Sequence, residues 1–250
     1  MIIDIHNHLL PEVDDGSKSL EESVQVIRQA VNAGTTKMIL TPHYAPEFSY
    51  DKSVTQLRKQ FNRLKKEIKK ADIPVELFLG NEIMLNKDTD LLLEQKKVLP
   101  LADTNYVLVE FPMTYYLDDF DEYLYNISLS YQIIIAHPER YSFVKDDWKF
   151  VERWTKEGYL LQSNGDSLED RGKAKIIYKL IETGQLHFIA SDSHGYWRTA
   201  VLTKPFKKIE KLFGTDVANF LFYENAETLL EGGSIQQMTP HRRRCLGGIL

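Results

Sequence analysis

Residues 132–140 read QIIIAHPER: a short apolar run that ends in a histidine, a proline and two charged side chains. Three consecutive isoleucines favour extended backbone. A strand with no polar alternation is one covered on both faces. The same shape recurs along the chain. Residues 106–112 read YVLVEFP, 37–43 KMILTPH and 187–194 HFIASDSH, each placing a histidine or carboxylate where the apolar run stops. On this pattern strands are expected at 2–6, 37–42, 75–80, 106–111, 132–136, 159–163 and 187–191.

Helical spacing fills the intervals. Val54, Leu57, Phe61, Leu64 and Ile68 stripe one side of 51–70 with lysines on the other. Ser19 and Glu22 resemble a capping box opening a helix that runs to about Asn32, before Gly34. Strand–helix alternation repeated in this way predicts an α/β fold with a parallel sheet, either closed as a barrel or open. No repeat or linker divides the chain, so a single domain is expected over 1–238. A basic end at 239–250, including His241, Arg242, Arg243 and Arg244, is expected to be flexible.

Composition narrows the function. The 250 residues are 43% hydrophobic and 27% charged, an ordinary globular balance. A net charge of −5 gives no general attraction to nucleic acid or anionic membrane, so neither is an expected partner. The start, MIIDIHNH, lacks the basic and long apolar regions of a secretory signal. No stretch approaches the roughly 20 apolar residues of a membrane span. One cysteine, Cys245, excludes an internal disulfide framework and a thiolate zinc cluster, and it stands in no C-x5-R context. A cytoplasmic protein is expected.

The polar residues at the strand ends form a pattern of their own. His6 and His8 follow the first run, His43 the second, Glu82 the third, Glu110 the fourth, His137 the fifth, and Asp192 and His194 the last. In a parallel α/β fold all C-terminal strand ends share one face, so residues scattered from 6 to 194 converge on one pocket. Five of the seven histidines lie at these ends. His-x-His and Asp-x-His place alternate strand residues on one side, able to grip one ion. Imidazoles and carboxylates without thiolates suit manganese, iron or zinc, and several carboxylates allow bridging between ions. Taken singly, each histidine is more simply a hydrogen-bonded core residue, and Glu82 and Glu110 could cap helices. Asp14-Asp15-Gly16 reads as a turn, and Asp15 gains interest only through its nearness to His6 and His8. Arg140 and Arg198 are the nearest cations. A guanidinium matches phosphate oxygens as a fork, although a surface ion pair is the commoner fate of an arginine. The aromatic stretch Tyr115, Tyr116, Phe120, Tyr123 and Tyr125 suggests a rim, with about half its rings expected in the core.

Seven motifs in order, HNH, DDG, TPH, GNE, VEFP, AHPER and SDSH, resemble the PHP (polymerase and histidinol phosphatase) superfamily. The branch they are most similar to is that of bacterial manganese-dependent protein tyrosine phosphatases of capsule and exopolysaccharide synthesis. The likeness runs from residue 1 to about 231. It implies a distorted (β/α)7 TIM-like barrel with three metal ions. By that likeness His6, His8, Glu82 and Asp192 surround one ion, Glu82 bridges to a second held by Glu110 and His137, and Asp15, His43 and His194 serve the third. Asp15 is chosen over Asp14 because it matches the second aspartate of DDG. Arg140 and Arg198 match the arginines that hold phosphate, with Arg198 one residue closer to its histidine than in the family pattern. The implied reaction is direct attack of water on phosphorus, with no phosphoenzyme and no cysteine. The implied partner is a phosphotyrosine protein, namely the tyrosine-rich tail of a membrane-associated tyrosine kinase. A histidinol phosphatase or other small-molecule phosphatase uses the same scaffold. A nuclease is disfavoured by the acidic balance, and a non-catalytic metal-binding regulator by the completeness of the ligand set.

Overall fold

The structure, a computed structural model, describes residues 1–243. It has nine strand segments: β1 (Ile2–Asp4), β2 (Thr35–Leu40), β3 (His43–Tyr44), β4 (Glu76–Leu79), β5 (Glu82–Met84), β6 (Tyr106–Glu110), β7 (Gln132–Ala136), β8 (Leu160–Asn164) and β9 (Phe188–Ala190). Every pairing between them is parallel. Two of the expected strands are each broken in two. The run expected at 37–42 starts at Thr35 and stops before Thr41-Pro42, because proline offers no N–H to a ladder. It resumes as β3. The run expected at 75–80 stops at Leu79. Asn81 there bonds sideways, donating from its side chain to Pro42 O (2.8 Å) and accepting from Leu99 N–H (3.0 Å), before β5 resumes.

The sheets have the orders β1-β2-β4 and β3-β5-β6-β7-β8-β9. With β2 continued by β3 and β4 by β5, these are seven staves in sequence order. The Gly80 and Glu82 N–H groups donate to Leu40 O (2.9 Å) and Pro42 O (3.2 Å) across the broken staves. A parallel bridge between Asn7 and Ser193 joins the last stave to the first. There the Asp192 N–H donates to His6 O and the His8 N–H to Ser193 O, both at 2.8 Å. The sheet is therefore a closed, distorted (β/α)7 barrel.

Both sides of the barrel wall are packed, which explains the unbroken apolar runs. Ile3, Ile39, Leu108, Ile134 and Phe188 form one core cluster with Ala226 and Leu229 of the last helix, Asn225–Leu230. On the opposite face Val107, Val109, Ile133 and Ile135 join a second cluster with Leu124 and Trp154 of the surrounding helices. Trp154 stacks on Phe111 with centroids 5.4 Å apart and planes 6° from parallel. In the aromatic stretch after β6, Phe120 is buried, Tyr116 packs on Phe111, and Tyr115 and Tyr125 stay exposed.

Helix ends follow local chemistry, with one difference from expectation. Ser19 caps Leu20–Asn32 by accepting from Glu22 N–H at 3.1 Å. The Glu22 carboxylate does not complete the box. It accepts from Lys18 N–H (2.7 Å) and from Tyr196 N–H (2.8 Å), tying the loop after β9 to this helix. The complete box lies at Ser53–Gln56 and starts the next helix at Val54. At the other end of the chain Arg243 pairs with Glu182 at 3.0 Å and lies over the Tyr178 ring. Arg244 and Cys245 lie outside the described residues. Among the described residues no helix is long and apolar enough to cross a membrane.

A candidate metal centre at the mouth of the barrel

The C-terminal ends of the staves bring His6, His8, Asp15, His43, Glu82, Glu110, His137, Asp192 and His194 together, and Glu82 is the hub. Its Oε2 lies 3.1 Å from His6 Nε2, 3.1 Å from His8 Nε2 and 3.2 Å from His43 Nε2, while its Oε1 lies 2.9 Å from His137 Nε2. Asp192 Oδ1 approaches His6 and His8 at 3.5 and 3.3 Å. Glu110 faces His43 at 3.5 Å and His137 at 3.7 Å. Asp15 reaches His43 Nδ1 at 3.2 Å and His194 Nε2 at 3.7 Å.

Two of these residues hold unusual backbone. His137 has φ +33° and Asp192 φ +48°, a region that side chains other than glycine seldom occupy. Alternation along β7 sends Ile133 and Ile135 outward, and the left-handed turn at His137 breaks it as the ring goes to Glu82. Such positions cost of order 1–3 kcal/mol and concentrate at functional sites.

A further set of buried residues aims the first, and sequence reasoning missed it. Asp14, read as part of a turn, accepts from His8 Nδ1 at 2.8 Å and from His43 N–H at 2.9 Å. Gly16 completes the DDG motif because its Cα lies against the His8 carbonyl, where any side chain would collide. Gln162 Oε1 meets His6 Nδ1 at 2.7 Å, and Asn164 Nδ2 donates to Asp192 Oδ2 at 2.6 Å. Polar residues two apart at the end of β8 were a visible signal for these two. Glu139, within AHPER, accepts from Asn164 N–H at 2.8 Å. Arg140 donates to Asp192 Oδ2 at 2.7 Å, and Arg198 Nη1 pairs with that same oxygen. The two arginines therefore converge at the rim, the shorter spacing of Arg198 notwithstanding.

The proton balance reflects crowding. Burial would depress His8, yet Asp14 beside it holds the ring well above the usual imidazole range. Burial would raise Glu82, yet His6 and His43 keep it well below the carboxylate range. Glu110 is pushed up to about 8 by burial and by the Glu82 charge. His137 is lowered to about 4 by burial and by Arg140, and His194 to about 4 by burial and by His8.

These donors fit divalent cations. They are nitrogen and oxygen only, and Glu82 Oε2 is fully buried without a hydrogen-bond donor of its own. Among the described residues three groups have ligand atoms within 4.8 Å of one another: His6, His8, Glu82 and Asp192; His8, Asp15, His43 and His194; and His43, Glu82 and Glu110. Compared with the sets implied by resemblance, His8 joins the second group and His43 stands in the third where His137 was expected. His8 and His43 stack with centroids 4.1 Å apart, which lets each border two groups.

A family model described as capsular polysaccharide synthesis, CpsB/CapC, matches residues 2–231. The chain belongs to the CpsB/CapC family. Among curated relatives, the tyrosine-protein phosphatase YwqE of Bacillus subtilis is 32% identical over 254 residues, covering 99% of both chains. The tyrosine-protein phosphatase CpsB of Streptococcus agalactiae serotype V is 30% identical over 241 residues, covering 92% of this chain and 98% of its own. Among solved structures, a chain from the study of YwqE and of Streptococcus pneumoniae CpsB, described as metal-dependent tyrosine phosphatases, superposes with a TM-score of 0.89. It is 31% identical and covers 97% of this chain and 99% of its own. The barrel is thus that of its CpsB/CapC relatives.

Proposed function

We propose that this CpsB/CapC chain is a metal-dependent phosphomonoester hydrolase whose substrate is phosphotyrosine in protein. The observation that carries this reading is the convergence of three imidazole nitrogens on one buried oxygen, Glu82 Oε2, with two arginines meeting at its edge. His6, His8, Asp15, His43, Glu82, Glu110, His137, Asp192 and His194 are the proposed ligands. Sharing of Glu82, His8 and His43 among the groups favours more than one ion, and three manganese ions are proposed, with iron or zinc compatible with the same donors. Such cations supply positive charge to ester oxygens and lower the pKa of water.

The protein's own side chains supply the rest. Arg140 and Arg198 are part-exposed while their common partner Asp192 is buried, so their guanidiniums sit where a phosphate dianion arriving from solvent meets them. A forked guanidinium orients that dianion and stabilises charge as the ester bond breaks. Asp14, Gln162 and Asn164 hold His8, His6 and Asp192 in position before substrate arrives. Burial of His6, His8, His137 and Glu82 removes competing water, which strengthens each of these interactions.

Beyond the chemistry, the family and the relatives' names support a tyrosine-phosphorylated partner. The proposed one is an autophosphorylating, membrane-associated tyrosine kinase of capsular or exopolysaccharide synthesis, met in the cytoplasm by a catalytic domain spanning 1–238. The test is an assay of chelator-stripped protein with phosphotyrosine peptide, phosphoserine peptide and histidinol phosphate, before and after metal is returned. Stripped protein is expected to be inactive, and Mn²⁺ to restore more turnover than Mg²⁺, on phosphotyrosine first. Full turnover without metal refutes the mechanism, and preference for histidinol phosphate refutes the substrate.

A further inference from the structure

Beside the ligand cluster the barrel mouth opens into a cleft of ≈ 410 Å³ whose inner end is formed by Asp15, His43 and Glu110. The remaining wall is mostly apolar, built from Phe48, Tyr50, Met84, Phe111, Met113 and Tyr115, and among the described residues no lysine or arginine lines it. Phe48 and Tyr115 stand at 61% and 52% exposure, so folding leaves two aromatic rings in water at the lip. Phe48 is nonetheless firmly presented. Ala45 and Tyr50 exchange backbone hydrogen bonds of 2.8 and 3.2 Å across its loop, and Phe48 N–H donates to Ala45 O at 2.9 Å. The Tyr50 ring in turn lies 5.6 Å from that of His43. On the facing side Met113 is pinned by its carbonyl, which accepts from Ser142 N–H at 3.0 Å.

We infer that this cleft is an aryl slot: it receives the phenyl ring of the substrate's phosphotyrosine, and Phe48, Met113 and Tyr115 set the preference for aryl over alkyl phosphate esters. The inference rests on the phosphatase reading above. One end of the cleft is the ligand cluster itself, so a phosphate held there points its ester substituent along the apolar wall. The volume lies in the range of small-ligand sites. Its aromatic and thioether walls favour a neutral ring through edge and face contacts. Glu47 in the lining, with no basic side chain there among the described residues, disfavours a second anionic group and with it nucleotides and diphosphates as the occupant.

Phenylphosphonate and methylphosphonate, whose P–C bonds resist hydrolysis, test the slot by equilibrium binding to the manganese-loaded full chain. The parent is expected to bind the phenyl compound at least about tenfold more tightly, the scale of filling an apolar pocket. Phe48→Ala and Met113→Ala are each expected to cut that preference several-fold, while Phe48→Tyr restores it. Tyr125→Ala, an exposed aromatic on the outer helix Asp119–Ser128, leaves it unchanged. The kcat/KM ratio of phenyl phosphate to glycerol phosphate should fall in parallel, through KM. An equal affinity of the parent for both phosphonates overturns the slot, as does a preference untouched by both alanine variants, or tighter binding of a cationic aminoalkylphosphonate. Those results leave the phosphatase reading standing. Failure to bind either phosphonate, with no ester hydrolysed, removes both.

Discussion

Asp14→Asn isolates the residue on which the geometry departs furthest from a turn. The Asp14 side chain is fully buried, and its Oδ2 accepts hydrogen bonds from His8 Nδ1 at 2.8 Å and from the His43 N–H at 2.9 Å. Its Oδ1 takes the Gly16 N–H at 3.0 Å. Asparagine keeps the shape and one acceptor oxygen but removes the charge. A hydrogen bond to a charged group contributes about 1.5–3 kcal/mol, and each 1.4 kcal/mol is about tenfold in an equilibrium constant. Loss of the charge therefore predicts a ten- to hundredfold weaker hold on the cations bordered by His8, the range typical for the partner of a metal-bound histidine. Calorimetric titration of stripped protein with Mn²⁺ measures the first quantity, and turnover at saturating Mn²⁺ shows how much excess metal rescues. Unchanged metal affinity in a folded Asp14→Asn protein refutes the argument, because His8 would then be oriented by something else. Asp15→Asn offers the contrast: it removes a proposed ligand at the exposed edge, so excess metal should rescue it less.

Other outcomes follow from single contacts. Arg140→Ala should retain its metal by elemental analysis yet lose about a hundredfold in turnover, and Arg140→Lys should recover only part of that because an ammonium lacks the fork; metal loss in Arg140→Ala would make the arginine a support of the ligand shell. Trp154→Ala, which empties a fully buried site stacked on Phe111, should lower unfolding free energy by about 3–5 kcal/mol in urea titration. His187 is held at about 4 by burial, and its Nδ1 accepts from Leu161 N–H at 3.1 Å. The folded state thus binds that proton less readily than the unfolded chain. Its stabilising effect is complete above pH 6.5, declines as pH falls through that value and is gone below about 4, a loss of roughly 3 kcal/mol at 1.36 kcal/mol per tenfold change in proton affinity. His187→Gln should flatten the unfolding midpoint over that window while leaving turnover near normal, and an unchanged pH slope would show that the imidazole does not titrate there.

Much of this molecule was legible in the amino-acid sequence because local physics is written there. Isoleucine runs such as 133–135 favour strands covered on both faces, and polar residues that end such runs on parallel strands share one end of the barrel. That reasoning collects His6, Glu82, Glu110, His137 and Asp192 from across the chain before any coordinate is known. It does not decide closure. The barrel closes through Asn7 and Ser193, whose bridge depends on the twist of all the intervening staves. The breaks at Pro42 and Gly80 are set by what the freed backbone groups find to bond with in the fold. Nor do local rules separate Asp14 from Asp15, which only the family likeness told apart: the two are chemically equivalent until packing buries the side chain of the first against His8 and leaves the second facing His43 and His194. The same holds for His137, which strand alternation sends to the wrong side and a left-handed backbone returns to Glu82. Chemical identity is local and survives in a sequence, whereas the direction a side chain takes is fixed by every element packed around it.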